Sequence, residues 1–417
     1  MSAICSTPIQ AIDNLPFNNL PFSKLLNGKL KTTGKYMNRH VNYFPLGIAK
    51  GEAFCNRIPE RKQLISNIER NKHTIVISPR RYGKSSLVLC GLEEMKLPYE
   101  RVDLFVAVNL KTIEEQILKG VKNLISQIST VPEQAVSFMK NYIKNLKSKW
   151  IVGTDGVNIE LIPEKGSDSV NIIMESLQML ENILNKKAKK AVFFIDEFQE
   201  IGVLANSTGV EGAIRHVAQE SENLRFIFSG SNRHIFANMF DDRSSPLYML
   251  CDRITIDRIH EQDYIIYLNK VAKKTWGGNL DSTVMAEVFR LTERHPYYMN
   301  VLCDKLWTYS GESLPTSKAA KIVWKDYILQ EESKIAKDLS SLNTSQKRIL
   351  IAIAQGVSKN LTSKDTLHKF NLTSATIIKS LKLLEEQDYV SRNKNGEYFI
   401  IDPLIKASLI QFYPNTF

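Results

Sequence analysis

Residues Thr74 to Cys90 read TIVISPRRYGKSSLVLC. The run Thr74-Ile75-Val76-Ile77 is β-branched throughout and suits a buried strand. A polar turn follows, then Gly83-Lys84-Ser85-Ser86, then an apolar run from Leu87 that suits a helix. Strand, turn, Gly-Lys-Ser and helix is the order of a phosphate-binding P-loop. Backbone N–H groups at a helix N-terminus, where the dipole is positive, cradle phosphate oxygens. Lys84 would add a charge that reaches the outer phosphates, and the Ser85 hydroxyl would ligate Mg2+. Gly83 lets the backbone come close. The place of the usual first glycine is taken by Ser78, in Ser78-Pro79-Arg80-Arg81-Tyr82-Gly83-Lys84-Ser85. Pro79 would fix the turn there instead. An ordinary basic loop is the competing reading of this stretch.

Ala191 to Glu197 reads AVFFIDE, an apolar strand that ends in two acids. This is the second half of a nucleotide site. Asp196 would hold the Mg2+ shell, and Glu197 would orient or deprotonate an attacking water. A buried strand running into a charged loop is the alternative. The two halves, in this order and each on a predicted strand, argue against it.

The chain has 417 residues, enough for two or three domains with cores of their own. Apolar residues make up 43% and charged residues 24%, which places it among ordinary globular proteins. The net charge of +11 suits nucleic acid or an anionic surface as partner, and equally a nucleotide site or a mildly basic soluble protein. Cys5, Cys55, Cys90, Cys251 and Cys303 are far apart, with no Cys-x-x-Cys pair. They read as reduced thiols of a cytoplasmic protein. No apolar run approaches the ~20 residues of a membrane span, and the N-terminus lacks the design of a secretion signal.

The first fifty residues, rich in Asn, Lys and Pro, read partly as an irregular arm. Glu60 to Arg70 suits an amphipathic helix with Leu64, Ile65 and Ile68 on one face. Arg101 to Val108 predicts a second core strand, and Ile113 to Ile128 a helix. Lys149 to Pro163 predicts a β-hairpin turning at Asp155-Gly156. Ile172 to Asn185 and Glu211 to Glu220 predict helices, and Leu224 to Phe228 a strand ending at Ser229-Gly230-Ser231. Strands alternating with helices indicate a parallel sheet, with ligands beyond the strand C-termini. Ser231 would then sense the γ-phosphate or the water; a plain Ser-Gly turn is the alternative. Arg253 to Ile256 closes the set, and helices follow over Tyr264 to Lys273, Thr283 to Thr292 and Pro296 to Tyr309.

The last segment changes character. Helices over Gln346 to Gln355, from Thr362 or Ser363 to Lys369, and from Thr373 to Gln387 precede a hairpin, Tyr389 to Ile401, around Asn395-Gly396. Three helices and a hairpin make a winged helix-turn-helix. Ser374, Thr376, Lys379 and Lys382 lie on the outward face of the third helix, and Arg392 and Lys394 on the wing. Hydroxyls and cations there suit duplex DNA. Contact with a protein is the other use of such a domain.

With these pieces in place the chain resembles the archaeal-type STAND ATPases, P-loop proteins close to the AAA+ group. The resemblance covers Phe54 to Leu409. It rests on Asn56-Arg57-x-x-Glu60, on Arg80-Arg81-Tyr82-Gly83-Lys84-Ser85-Ser86, on Asp196-Glu197-Phe198-Gln199-Glu200 and on His295-Pro296-Tyr297-Tyr298. It implies ATP with Mg2+, a helical lid whose Pro296 faces the nucleotide, and Arg57 in the nucleotide pocket. Arg243 would be an arginine finger if subunits stack, or else one half of a surface ion pair. The expected division is an N-terminal arm (1–50), an α/β parallel-sheet P-loop core (51–257), a helical lid (258–340) and a winged helix (341–417). Three functions compete: an ATPase switch coupled to DNA or to partner assembly, a low-activity signalling scaffold that holds a protein partner, and a replication-initiator-like ATPase.

Overall fold

The β-branched and aromatic runs form a parallel sheet in the computed structural model, which describes residues 42–128, 146–153, 156–163, 166–204 and 207–414. In chain order, α1 (Ile58–Glu69) leads into β1 (Thr74–Ile77), α2 (Lys84–Met95), β2 (Tyr99–Asp103) and α3 (Leu110–Ile128). An antiparallel pair follows, β3 (Leu146–Gly153) and β4 (Gly156–Pro163). Then come α4 (Ser169–Lys187), β5 (Ala191–Asp196), the short α5 (Gln199–Gly202), α6 (Ser207–Glu220) and β6 (Leu224–Gly230). Helix α7 (Arg233–Asp241) and β7 (Asp252–Thr255) complete the α/β part.

The five strands are ordered β2-β5-β6-β1-β7, and every pairing is parallel. In the central strands β1, β5 and β6 successive side chains alternate between two buried faces, as an α/β sheet requires. Ile75, Ile77, Phe193, Ile195, Phe226 and Phe228 pack with α3, α4 and α6. Val76, Val192, Phe194 and Ile227 pack with α1 and α2. This order sets the C-terminal ends of β1, β6, β5 and β2 side by side along one edge.

One sequence expectation changes here. The strand predicted over Arg101 to Val108 stops at Asp103. The Asp103 carboxylate accepts the Phe105 N–H at 3.1 Å, a local bond that turns the chain out of the ladder. Phe105, Val106 and Val108 are consequently 62%, 66% and 75% exposed. The predicted hairpin is present, with Gly153 paired to Gly156; Thr154 and Asp155 between them lie outside the described residues.

Five helices follow: α8 (Glu261–Trp276), α9 (Ser282–Thr292), α10 (Pro296–Ser310), α11 (Ser317–Gln330) and α12 (Glu332–Ser340). They share a core that includes Leu268, Val288, Leu302 and Trp324. Phe44 joins that core edge-on to Tyr267 and Trp307, so the segment entering α1 is anchored on the helical bundle.

The C-terminal part has its own core, built from α13 (Thr344–Ala354), α14 (Lys364–Phe370), α15 (Ser374–Glu386), β8 (Val390–Arg392), β9 (Tyr398–Ile400) and α16 (Pro403–Phe412). Asn343 and Gln346 form a capping box, and Ser363 and Thr373 cap the next two helices. Ile377, Leu381 and Leu384 point inward. Asn395-Gly396 is not a two-residue turn. The strands end at the Arg392–Tyr398 pair, and Asn393 closes the longer loop by accepting the N–H groups of Asn395 and Glu397. Cys55, Cys90, Cys251 and Cys303 are free thiols. Among the described residues no helix is long and apolar enough to cross a membrane.

Candidate nucleotide site

The loop after β1 needs left-handed backbone at two places, Arg81 (φ 64°) and Gly83 (φ 89°). Ser78 is not one of them, which removes the physical need for glycine there. Its side chain is buried, and its hydroxyl donates to the Pro79 carbonyl at 3.0 Å. Gly83 is the N-cap of α2, and a Cβ built on it would meet nothing within 4 Å, so the backbone there faces open space.

Lys84 is 5% exposed. Its ammonium has only long bonds, 3.4 Å to the Ser78 carbonyl and 3.5 Å to that of Pro79. Burial pulls its pKa down; Glu197 and then Asp196 pull the other way. A buried cation so weakly held, at the positive end of a helix, is suited to an anion. Ser86 is committed elsewhere, accepting the Ala49 N–H at 3.0 Å.

Across the sheet edge the Ser85 hydroxyl donates to Asp196 Oδ2 at 2.6 Å. Asp196 is 1% exposed. Its Oδ1 is fixed by the Ser229 hydroxyl and the Glu197 N–H. Oδ2 also accepts Arg101 Nε at 2.9 Å. Ser85 and Asp196 are therefore in direct contact, and both offer oxygen donors of the kind that Mg2+ takes. Glu197 sits at φ 52°, and its Oε2 accepts Ser231 Oγ at 2.8 Å and Gln199 Nε2 at 2.6 Å. Arg80 Nε lies 3.5 Å from the same Ser231 hydroxyl.

A cavity of about 240 Å³ opens at this edge, reached by Gly83, Lys84, Ser85, Glu197, Arg57 and Pro296. Its far wall is apolar: Pro45, Leu46 and Ile48 from the chain before α1, Ile259, and Tyr297 of α10. The Arg81 guanidinium stacks 4.3 Å over the Tyr297 ring, and Tyr82 packs edge-on against His295. Pro296 opens α10 at the cavity. Arg57 lines it too, but its guanidinium is spent as a clip, donating at 2.8 Å to the carbonyls of Tyr82 and Asp257. Arg243 is exposed in the loop after α7, pairs with no described residue and does not line this cavity.

Of the residues proposed for DNA, Ser374 is half-buried, and Lys379 and Lys394 are exposed without a described acid partner. Thr376 is tied to the cap by a 2.9 Å contact with Thr373. Lys382 lies 3.8 Å from Glu386. Arg392 is committed to Glu385, at 3.0 and 3.1 Å, and stacks on Tyr398. Of the two cations expected on the wing, Arg392 is thus paired with Glu385 of α15, and Lys394 is exposed.

Sequence reasoning missed Arg101 and Asp103 on β2, Gln199 behind Glu197, and the wall supplied by residues 45–49. It also missed Arg233 of α7, which bonds Asp388 and Ser391 beside the wing.

A five-stranded parallel sheet with this loop, followed by helices and a winged helix, defines the fold of a P-loop ATPase. The comparisons agree. A probable winged helix domain is matched over residues 334–411. Among solved structures the chain is similar to the Walker-type ATPase PABY2304 of Pyrococcus abyssi, at 18% identity and TM-score 0.64, over 88% of this chain and 99% of that one. It is also similar to the ORC2 protein of Aeropyrum pernix in its ADPNP–ADP complexes, at 14% identity and TM-score 0.52, over 86% and 95%. At these identities the likeness is one of fold. No curated protein matches the chain in sequence.

Proposed function

We propose that the chain is an ATP-binding and hydrolysing switch of the STAND/AAA+ kind, whose nucleotide state is communicated to the winged helix. The observation that carries the reading is Lys84, a buried ammonium without a close partner at the N-terminus of α2 and beside the Ser85–Asp196 contact. Residues 45–49 and Tyr297 would enclose the base, and the α2 N-terminus and Lys84 the phosphates. Ser85 and Asp196 would hold Mg2+, which supplies charge neutralisation at the phosphates when bound. Glu197, aimed by Ser231 and Gln199, would position the attacking water and take its proton.

Lys84→Ala should weaken ATP binding by roughly 10- to 150-fold, the worth of a charge-assisted bond of about 1.5–3 kcal/mol, read by titration with a fluorescent ATP analogue. Glu197→Gln should keep binding and lower turnover by about 10²-fold or more. Equal binding by wild type and Lys84→Ala would refute the site. A hydrolysis rate unchanged by Glu197→Gln, with binding intact, would favour the scaffold version.

Lys379 and Lys394 support duplex DNA; the Arg392–Glu385 pairing and the 59% exposed Ile378 on α15 support a protein partner. The initiator reading draws on the ORC2-like fold alone. Salt-sensitive duplex binding that Lys379→Glu weakens would decide for DNA.

A further inference from the structure

Arg101 and Asp103 are two residues apart on β2 and so share one face, and Asp103 is the register partner of Asp196 on β5. Two carboxylates directly opposed on neighbouring strands repel. Arg101 lies between them: its Nη2 is 2.6 Å from Asp103 Oδ2 and 2.7 Å from Asp196 Oδ2. Its Nε bonds the same Asp196 oxygen at 2.9 Å. That oxygen is also the one the Ser85 hydroxyl reaches. The guanidinium thus occupies the charge position that a divalent ion between Ser85 and Asp196 would take.

We propose that Arg101 is a built-in counter-cation for the metal position, exchanging with Mg2+ on Asp196 Oδ2 and held in reserve by Asp103. The inference rests on the nucleotide reading above and concerns how that site is loaded. Asp196 is 1% exposed, so without a cation beside it the carboxylate would be a buried, uncompensated charge. Arginine keeps its charge at every working pH, so it neutralises Asp196 and leaves the Ser85 hydroxyl already directed at Oδ2. When a divalent ion takes Oδ2, the guanidinium withdraws toward Asp103, whose side chain is 43% exposed and can follow it. The cost is affinity: each metal ion must displace an ion pair.

The test measures metal affinity apart from turnover. Full-length protein with saturating ADP is titrated with Mn2+, and free Mn2+ is read by electron paramagnetic resonance. Arg101→Gln should bind Mn2+ roughly tenfold more tightly than wild type, about 1.4 kcal/mol, while Arg101→Lys stays near wild type. Unchanged or weaker Mn2+ binding in a folded Arg101→Gln protein overturns the proposal. Should that variant not fold, the wild type decides. In a crystal with ADP and Mg2+, Arg101 should stay on Asp103 and stand beyond about 3.5 Å from Asp196 Oδ2. Arg101 still bonded to Oδ2 beside a bound ion overturns the proposal. A wild-type protein that takes no ADP at all overturns the nucleotide reading and this inference together. ADP bound with equal Mn2+ affinity in both proteins overturns this one alone.

Discussion

His73 lies just before β1 with both ring nitrogens committed: Nδ1 accepts the Phe226 N–H at 3.0 Å, and Nε2 lies 2.8 Å from the Ala218 carbonyl. A proton added at Nδ1 would set one donor against another. Burial penalises the charged ring as well and lowers its pKa from 6.5 to about 4. The folded pKa lies below the unfolded one, so this stability is fully present above pH 6.5 and is lost as pH falls toward 4. His295, lowered to about 3 chiefly by burial, acts with the same sign. His73→Gln, whose amide can both accept and donate, should remove up to one bound proton from the unfolding equilibrium between pH 6.5 and 4. The slope of stability against pH would flatten there by about 1.4 kcal/mol per pH unit. Urea unfolding at a series of pH values measures it, and an unaltered slope would show that the ring titrates freely in the folded protein.

At the scale of elements, α3 is pressed against the strands that carry the site. A Cβ placed on Gly120 would stand 2.4 Å from Val102 Cγ2 of β2 and 3.0 Å from Phe193 Cζ of β5. Gly120→Ala should therefore destabilise the protein by about 1–3 kcal/mol despite the better helix propensity of alanine. A chemical-denaturation midpoint at or above that of wild type would mean the helix can step back at no cost. Packing of this closeness marks what the sequence does and does not disclose. The β1 loop, the AVFFIDE strand and the inward stripes of α3, α4 and α15 were legible because each is a local period. The pattern Ala319, Ala320, Val323, Trp324, Tyr327, Ile328 of α11 carried the same signal unread. Arg101 and Asp103 were not legible, because their place beside Asp196 depends on the register of β2 against β5, far along the chain. Residues 45–49 gave no period at all; they reach the cavity because Phe44 is anchored in the helical bundle and Asn300 donates to the Pro45 carbonyl at 2.8 Å.

Across the whole molecule, the winged helix meets the sheet edge that carries the phosphate loop. Arg233 opens α7 two residues after Ser231 and donates to Asp388 Oδ1 at 2.8 and 3.1 Å and to Ser391 at 3.0 Å. Asp388 sits at φ 57°, between α15 and β8, so the turn is shaped to offer its carboxylate. Arg258 reaches the Ile401 carbonyl at 3.2 Å, Lys406 reaches Glu293 at 2.5 Å, and Tyr298 donates to Asp402 at 2.6 Å. The core, the helical bundle and the winged helix are thereby tied together at one corner, the corner where Glu197 and Ser231 also lie. The Arg233–Asp388 pair is 30% and 21% exposed, so its net worth is modest, about 1 kcal/mol. Arg233→Glu and Asp388→Arg should each loosen the corner by at least that much, since each sets like charges together. The double reversal should recover most of the loss, a coupling that distant sites would not show. Denaturation midpoints of the four proteins give the coupling, and the rate of limited proteolysis between α12 and α13 reports whether the winged helix has come away. Strictly additive losses, with cleavage unchanged, would mean that the contact does not hold the winged helix in place.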